Sequence, residues 1–343
     1  MKTTLNMGNI KKLIGFAIAA GLVLTVIGVA TGASRTLYWD KNGISIAKNE
    51  VSRITELDIG HVKSVNVSSG YSDIEFIHSD KYGFDAMGYD VTWDWSLNNG
   101  ALTISNKALT RMAFFSFNIA SARDENYVKI YLPAGAELDS VTIKCDTGDM
   151  RIGDFQADSV KIENAFGGME LKSITSNLLQ VNLDTGKFSG TDINAKTIAF
   201  ENSFGDSLFK SVKTDKLNVK GDTGDINFDG CEIGDAFITN SFGKTEAKGL
   251  VTSKLEIDSD SGDINFDGTF TGGNVIRSAF GKVTLTTSLG KDAYSYDIST
   301  DFGKVIMDGE KFGDSATIKS GNTTANHIKI TSDSGDVELR FAK

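Results

Sequence analysis

The sequence predicts an all-β fold: a β-solenoid (single-stranded β-helix) with coils of about 19 residues, preceded by one N-terminal transmembrane helix. Three observations support this. The chain repeats itself every 19 residues from Val141, a glycine recurs at one position of each repeat, and an uncharged apolar segment lies near the N-terminus. With 36 glycines and Pro133 as the only proline, the composition is typical of a chain with many turns.

The N-terminal segment predicts a membrane anchor over residues 13–33. Residues 13–32 carry no charge, and about 20 apolar residues suffice to cross a hydrocarbon core of about 30 Å. Lysines but no acidic residues occur in residues 1–12, which are therefore predicted to be cytoplasmic. A signal peptide cleaved near the small residues 30–33 is the alternative. The predicted location is the cell membrane, single-pass, with the bulk of the chain extracytoplasmic.

The rest of the chain divides into a spacer and a repeat domain. Residues 34–59 are predicted to be a juxtamembrane spacer. The β-solenoid is predicted over 60–343, irregular over 60–140 and regular over 141–343. Within the irregular part, Asn99-Gly100 between alternating segments predicts a hairpin.

An apolar cluster in residues 107–125 interrupts the irregular part. Two interpretations stay open for it. The cluster either caps one side of the solenoid, or it presents three aromatic side chains to a partner or to the bilayer. That possible partner surface consists of Phe114, Phe115 and Phe117.

The regular array predicts one strand–turn–strand unit per repeat. The third position is apolar in every unit and mostly β-branched, as half-buried strands require. The eighth position is always glycine, which suits a backbone with positive φ. These glycines are predicted to form a structural turn ladder: Gly148, Gly167, Gly186, Gly205, Gly224, Gly243, Gly262 and Gly281. Two further units begin at Tyr296 and Ile328, so the C-terminal "VELRFAK" is predicted to be the last rung and to need a cap.

The positions around the glycine alternate from one unit to the next. The sixth position alternates Asp with Ser or Ala, which keeps stacked carboxylates apart. The seventh alternates Thr or Ser with Phe, so that each ring has room. At the ninth position, a run of Asp225, Lys244, Asp263 and Lys282 predicts opposite-charge neighbours.

Charge and cysteine content limit the partners. A net charge of -10 and a pI near 4.9 argue against nucleic acid as a partner. Cys145 and Cys231 are the only cysteines. They fall four rungs apart, roughly 19 Å at the spacing of strands, so both are predicted to be unpaired.

The repeat units and the segment before them resemble a known family. Leu-Pro-Ala-Gly (132–135) after an alternating strand, followed by serial "V-x-I-x-x-D-T-G-D-I-x-F" units, is similar to the putative-adhesin family of bacterial β-strand-repeat envelope proteins. The similarity covers about 60–343. The family is a domain of unknown function without an established biochemical activity, and the resemblance implies a location at a bacterial envelope.

An aspartic protease, a carbohydrate-processing enzyme and a calcium-binding protein would each need particular residues in particular places. An aspartic protease needs two facing Asp-Thr/Ser-Gly loops, whereas this chain has five at rung spacing, including Asp222-Thr223-Gly224. A carbohydrate-processing β-helix enzyme would need a non-repeating acidic cluster, but the acidic residues follow the period. Rows of Asp at turns could chelate calcium, although turn formation also explains them. No catalytic residue, cofactor site or metal site is therefore assigned.

The sequence favours a non-enzymatic interaction or structural module of the bacterial cell envelope. Extended, repetitive solenoid faces suit a polymeric partner, either cell-wall polymer or another envelope protein. Two alternatives stay open: an envelope-stress or regulatory accessory protein, and a carbohydrate-processing β-helix enzyme.

Overall fold

The computed structural model of the chain describes residues 14–24, 35–40, 43–46, 51–108, 113–117, 126–320 and 324–343. Residues 14–24 form a helix, and almost all other elements are strands. The strands are β1 (Arg35–Asp40), β2 (Gly43–Ile46), β3 (Val51–Leu57), β4 (Ser64–Tyr71), β5 (Asp73–His78), β6 (Gly83–Tyr89), β7 (Val91–Asn98), β8 (Ala101–Ala108), β9 (Ala113–Phe117), β10 (Tyr127–Leu132), β11 (Ala136–Thr147), β12 (Met150–Phe166), β13 (Met169–Thr185), β14 (Phe188–Phe204), β15 (Ser207–Lys210), β16 (Lys213–Thr223), β17 (Ile226–Asp229), β18 (Glu232–Phe242), β19 (Thr245–Ser261), β20 (Ile264–Phe280), β21 (Val283–Gly290), β22 (Tyr294–Phe302), β23 (Lys304–Met307), β24 (Glu310–Asp314), β25 (Thr317–Lys319), β26 (Asn326–Ser334) and β27 (Val337–Ala342). The all-β prediction is confirmed.

The chain divides into two compact units. The first contains residues 1–51, 89–91 and 108–125. Its described strands form an antiparallel sheet in which β1 lies between β2 and β9. Of the predicted anchor at 13–33, only 14–24 are described, and no described helix is long and apolar enough to span a membrane. The predicted spacer 34–59 contains β1, β2 and β3.

The second unit is a solenoid-like stack of parallel rungs. Each rung pairs with the chain 19 residues later, so that Met150 lies beside Met169 and Met169 beside Phe188. The same offset continues through β20. Because the offset equals the sequence repeat, equivalent positions form columns along the stack.

The core fills the inside of each rung. In β12, buried residues alternate with exposed ones, and the alternation breaks where two consecutive residues face outward. These breaks are corners that let one 17-residue strand bend around its own core. The third-position residues predicted to point inward are all buried: Ile143, Ile162, Val181, Phe200, Val219, Ile238, Ile257, Ile276, Ile298 and Ile330.

The last rungs do not stack in chain order, which corrects the prediction for the C-terminus. Strand β26 pairs with β20 on one side and with β22 on the other, and β27 likewise lies between β21 and β23. The C-terminal "VELRFAK" is therefore an inner rung. The outer rung is β22–β23, whose edges are covered by the short antiparallel strands β25 and β24.

The irregular N-terminal part joins the same stack. Strand β4 pairs in parallel with β11 and with β8. The predicted turn at Asn99-Gly100 joins β7 to β8, with positive φ at both residues. The buried side chains Val65, Val67 and Ile104 extend the core into this region.

Candidate interaction surface

One corner of each rung from Gly148 onward is a glycine, whereas Ser72 occupies it in the rung before. The eight predicted turn glycines have φ between +130° and +156°, a range that other residues rarely adopt. A side chain there would also overlap the backbone of the preceding rung, as a Cβ on Gly205 would overlap the carbonyl of Gly186. The corner residues of successive rungs are consequently held directly above one another.

Buried asparagines tie these glycines together in pairs. Asn202 Nδ2 donates to the carbonyl oxygens of Gly186 at 3.1 Å and Gly205 at 3.0 Å. The same bridge recurs two rungs away in each direction, from Asn164 to Gly148 and Gly167 and from Asn240 to Gly224 and Gly243. One amide serves two rungs, so an asparagine is needed only on every second rung. This bridge is a structural reason for the alternation in the sequence.

Beside the glycines runs a column in which exposed aromatic rings alternate with hydroxyls, which we name the aromatic–hydroxyl column. Pairing between rungs fixes its order, from Tyr71 at one end to Phe302 at the other. Its six rings are between 56% and 77% exposed. The complete column is Tyr71, Thr147, Phe166, Thr185, Phe204, Thr223, Phe242, Ser261, Phe280, Ser334 and Phe302.

Large apolar side chains are normally scattered on a protein surface, whereas contiguous apolar patches indicate interaction sites. Here the rings repeat along most of the second unit. Packing inside the stack does not require these rings, because the core has its own aromatic contacts, such as Phe188–Phe200 at 4.4 Å and Phe209–Phe228 at 5.2 Å between ring centroids. The sequence predicted the alternation of this position but assigned it no function.

The ninth-position aspartates, which directly follow the glycine, stabilise the same corner. Each accepts a hydrogen bond from a backbone N–H of the next rung, as Asp225 Oδ1 does from Lys244 N at 2.8 Å and Asp263 Oδ1 from Lys282 N at 2.9 Å. The oppositely charged residues predicted to be neighbours are therefore adjacent in the stack and are joined through the lysine backbone N–H. Their side chains differ: the Lys187 ammonium lies 3.7 Å from the Asp206 carboxylate, whereas the Lys282 ammonium binds Glu338 at 2.7 Å. The six aspartates of this kind are Asp73, Asp149, Asp206, Asp225, Asp263 and Asp336.

The sixth-position aspartates have no such role. Among the described residues, none of their carboxylates makes a side-chain hydrogen bond or an ion pair; they are Asp146, Asp184, Asp222, Asp260, Asp301 and Asp333. Together the sixth and ninth positions carry twelve aspartates against four lysines, Lys187, Lys244, Lys282 and Lys304. The aromatic–hydroxyl column is therefore flanked by strong negative charge.

A second corner lies six residues after the glycine. Asp154, Ser173, Asp192 and Ser211 adopt positive φ there, between +52° and +60°. Asp tolerates this conformation better than most residues, and the next two rungs place Gly230 and Gly249 there with φ of +61° and +65°, so no single residue type marks this corner in the sequence. Sequence reasoning missed it, although the 19-residue spacing of these Asp and Ser residues was a readable signal.

A polar groove of about 650 Å³ crosses five rungs on another side of the second unit. Part of its charged lining follows the period, with Asp139, Asp158 and Asp215 at one position of their respective rungs, whereas Glu137 has no acidic equivalent in the other rungs that line the groove. Asn177 Nδ2 donates to Asp158 Oδ1 at 3.0 Å. The groove contains His61, whose Nδ1 lies 3.0 Å from the carbonyl oxygen of Val62.

One buried carboxylate, missed by the sequence reasoning, lies near the start of the stack. Asp85 is 5% exposed and accepts hydrogen bonds from Arg53 Nε at 3.0 Å and Arg53 Nη2 at 2.8 Å. Thr55 Oγ1 at 2.6 Å and Tyr127 Oη at 2.9 Å complete the set. Burial raises the pKa of Asp85, but the hydrogen bonds from Arg53, Thr55 and Tyr127 outweigh it and leave the pKa lowered. The fully bonded carboxylate joins β3, β6 and β10.

The cysteines, the candidate metal ligands and the possible partner surface predicted from the sequence are placed as follows. Cys145 and Cys231 are free and buried. Among the described residues, no group of three or more His, Cys, Asp or Glu side chains is arranged to hold a metal ion. Phe114, Phe115 and Phe117 lie in β9, where the backbones of Phe115 and Phe117 pair with β1. Their side chains lie outside the described part, and their role as a partner surface stays a prediction.

Comparison with known proteins identifies relatives of the second unit. A family model described as Toastrack DUF4097 matches residues 54–340. No curated protein matches the chain. Among solved structures, the chain is similar to a putative adhesin from Bacteroides fragilis NCTC 9343, with 12% identity and a TM-score of 0.40, covering 69% of this chain and 98% of that one. It is also similar to a putative adhesin from Parabacteroides distasonis ATCC 8503, with 11% identity and a TM-score of 0.33, covering 85% and 98%.

Proposed function

The chain belongs to the Toastrack DUF4097 family, and we propose that it is a non-enzymatic interaction module of the bacterial cell envelope. In this proposal the N-terminal segment anchors the chain in the cell membrane with residues 1–12 in the cytoplasm. The repeat domain is a β-solenoid of about 19-residue coils that projects outward. Its turn glycines, from Gly148 to Gly281, hold the binding face in register.

The aromatic–hydroxyl column carries this proposal. Six rings at least half exposed, on every second rung, form one long surface rather than a pocket. A surface of this kind suits an extended partner, because each rung pair offers the same contact again. Many weak contacts to one polymer also add up to tight binding.

The charged residues beside the column limit the chemical class of the partner. Twelve aspartates against four lysines beside the column repel polyanions such as nucleic acid. The same charge opposes pairing of this face with the same face of a second copy. The partner is therefore a neutral or cationic polymer, either of the cell wall or belonging to another envelope protein.

The test uses the full chain and a variant that lacks two central rings, Phe204→Ser with Phe242→Ser. The matched control replaces two exposed apolar residues outside the column, Leu178→Ser with Val251→Ser; Leu178 is 40% and Val251 48% exposed. Retention of each protein, kept in detergent so that the N-terminal segment cannot insert, is measured at equal concentration on lipid-free bacterial envelope material. We expect the ring variant to lose at least tenfold in apparent affinity and the control to keep it. Equal retention of all three proteins would refute the proposal.

A further inference from the structure

The spacing of the rings in the aromatic–hydroxyl column selects the conformation of its partner. Neighbouring strands lie about 4.7–4.9 Å apart, so rings on every second rung repeat every ~9.6 Å. A polyproline II helix has three residues per turn and rises about 3.1 Å per residue, which gives a repeat of ~9.3 Å. Side chains on one face of a β-strand repeat every ~6.8 Å, so they would not coincide with the spacing of the rings. One residue in three of a polyproline II segment can therefore face each ring in turn.

The hydroxyls between the rings match the backbone of such a segment. Among the described residues, the side-chain hydroxyls of Thr147, Thr185, Thr223, Ser261 and Ser334 make no hydrogen bond. A polyproline II helix makes no internal hydrogen bonds, so its carbonyl oxygens are free to accept. Proline-rich segments in this conformation dock on grooves lined by aromatic side chains in several recognition domains.

The charge beside the rings selects the side chains of the partner. The sixth-position carboxylates, such as Asp184 and Asp260, flank the rings and make no ion pair among the described residues; the charge of Asp222 also interacts with the nearby Lys220 ammonium. Cations beside aromatic faces gain further from cation–π attraction. Lysine or arginine between the prolines would therefore meet an unpaired carboxylate and a ring together.

From these three observations we propose that the aromatic–hydroxyl column binds a proline-rich, lysine- or arginine-bearing polypeptide segment in the polyproline II conformation. The proposal rests on the proposed function and specifies its partner. The rings Phe166, Phe204, Phe242 and Phe280 pack against the proline faces. The hydroxyls donate to the segment's carbonyl oxygens, and the sixth-position aspartates pair with its cations.

The direct test titrates the full chain with three fluorescently labelled 18-residue peptides and follows anisotropy. The first, (Pro-Pro-Lys)6, has a cation at every third residue. The second, (Pro-Pro-Glu)6, reverses the charge at the same period. The third, (Pro-Lys)9, carries more positive charge but at a period of two. We expect (Pro-Pro-Lys)6 to bind at least tenfold tighter than either of the others. Equal or tighter binding of (Pro-Lys)9 would show simple charge attraction and overturn the proposal.

Variants locate the bound peptide on the surface. The ring variant Phe204→Ser/Phe242→Ser is expected to weaken (Pro-Pro-Lys)6 binding at least tenfold, and Asp222→Asn/Asp260→Asn to weaken it and flatten its salt dependence. Leu178→Ser/Val251→Ser should bind as the unmodified chain does. Because all these side chains lie outside the core, circular dichroism should show unchanged folding. Undiminished binding by the folded ring variant would overturn the proposal.

A separate arm distinguishes this proposal from the proposed function. Oligomers of β-1,4-linked glucosamine offer cationic, extended chains without a peptide backbone. If these bind through the rings and (Pro-Pro-Lys)6 does not, the partner is a glycan: the peptide proposal fails while the proposed function stands. If neither probe binds and envelope retention is also independent of the rings, both fail.

Discussion

Replacing Asn202 by leucine tests the bridge between the corners of two rungs. Leucine fits the site, since Leu183 occupies the equivalent position in the preceding rung and is 1% exposed. The substitution leaves the half-buried carbonyls of Gly186 and Gly205 without the one side-chain donor they have among the described residues. Two unsatisfied groups cost about 4 kcal/mol in total. Burial of the leucine returns about 2 kcal/mol. Removal of Asn202 Oδ1, which is buried without a partner among the described residues, returns about 1 kcal/mol more, so we expect a net loss of about 1 kcal/mol.

Because each rung contacts mainly its neighbours, the loss should be local. Amide hydrogen exchange followed by mass spectrometry measures it, since a loss of about 1 kcal/mol speeds local opening about fivefold. The acceleration should centre on the backbone from Gly186 to Gly205. The control Asn218→Leu, on the exposed face of a nearby rung, should change stability by less than about 0.5 kcal/mol. Equal exchange in both variants would show that the asparagine bridge does not stabilise the corners.

Two further predictions concern the backbone and the buried carboxylate. Gly205→Ala should destabilise the stack by about 3 kcal/mol or more, because its φ of +135° and the nearby Gly186 carbonyl both oppose a Cβ. Gly230→Ala, at φ +61° with open space around it, should cost about 1 kcal/mol; equal urea midpoints for the two variants would contradict this. The lowered pKa of Asp85 means that its stabilisation is complete above the unfolded pKa of about 3.9 and is lost as pH falls through the lower folded pKa. Asp85→Asn should remove this part of the acid dependence, and an unchanged stability–pH curve below pH 4 would contradict the network.

The repeat itself was readable from the sequence because every rung obeys the same constraints. A glycine at one corner and an inward-facing third position recur every 19 residues. The same 19-residue offset is the register in which neighbouring strands pair. The alternation of aromatic and hydroxyl residues was visible too. Its exposure was not, because a corner position can face either the core or the solvent, and only the fold decides which.

Other features depend on contacts between residues that are far apart in the sequence. The stack at the C-terminus runs from β20 to β26 and only then to β22, since both later units share the same phase and either one could follow β20. Asp85 meets Arg53 and Tyr127 from strands 32 and 42 residues away, and no repeat marks these residues. The ninth-position aspartates and lysines were predicted to be neighbours, but the sequence did not show which atoms bind. Each aspartate accepts a hydrogen bond from the backbone N–H at the same position of the next rung, which any residue except proline provides.

Stepwise removal of the rings tests the central claim most directly. Phe166, Phe204, Phe242 and Phe280 are changed to serine one, two, three and four at a time, and the affinity of the full chain, kept in detergent, for lipid-free envelope material is measured for each. If the column is the binding surface, the logarithm of the affinity falls with each ring removed, by a similar step, because the rings occupy equivalent positions. An affinity that stays constant from none to four substitutions in folded protein would contradict the claim.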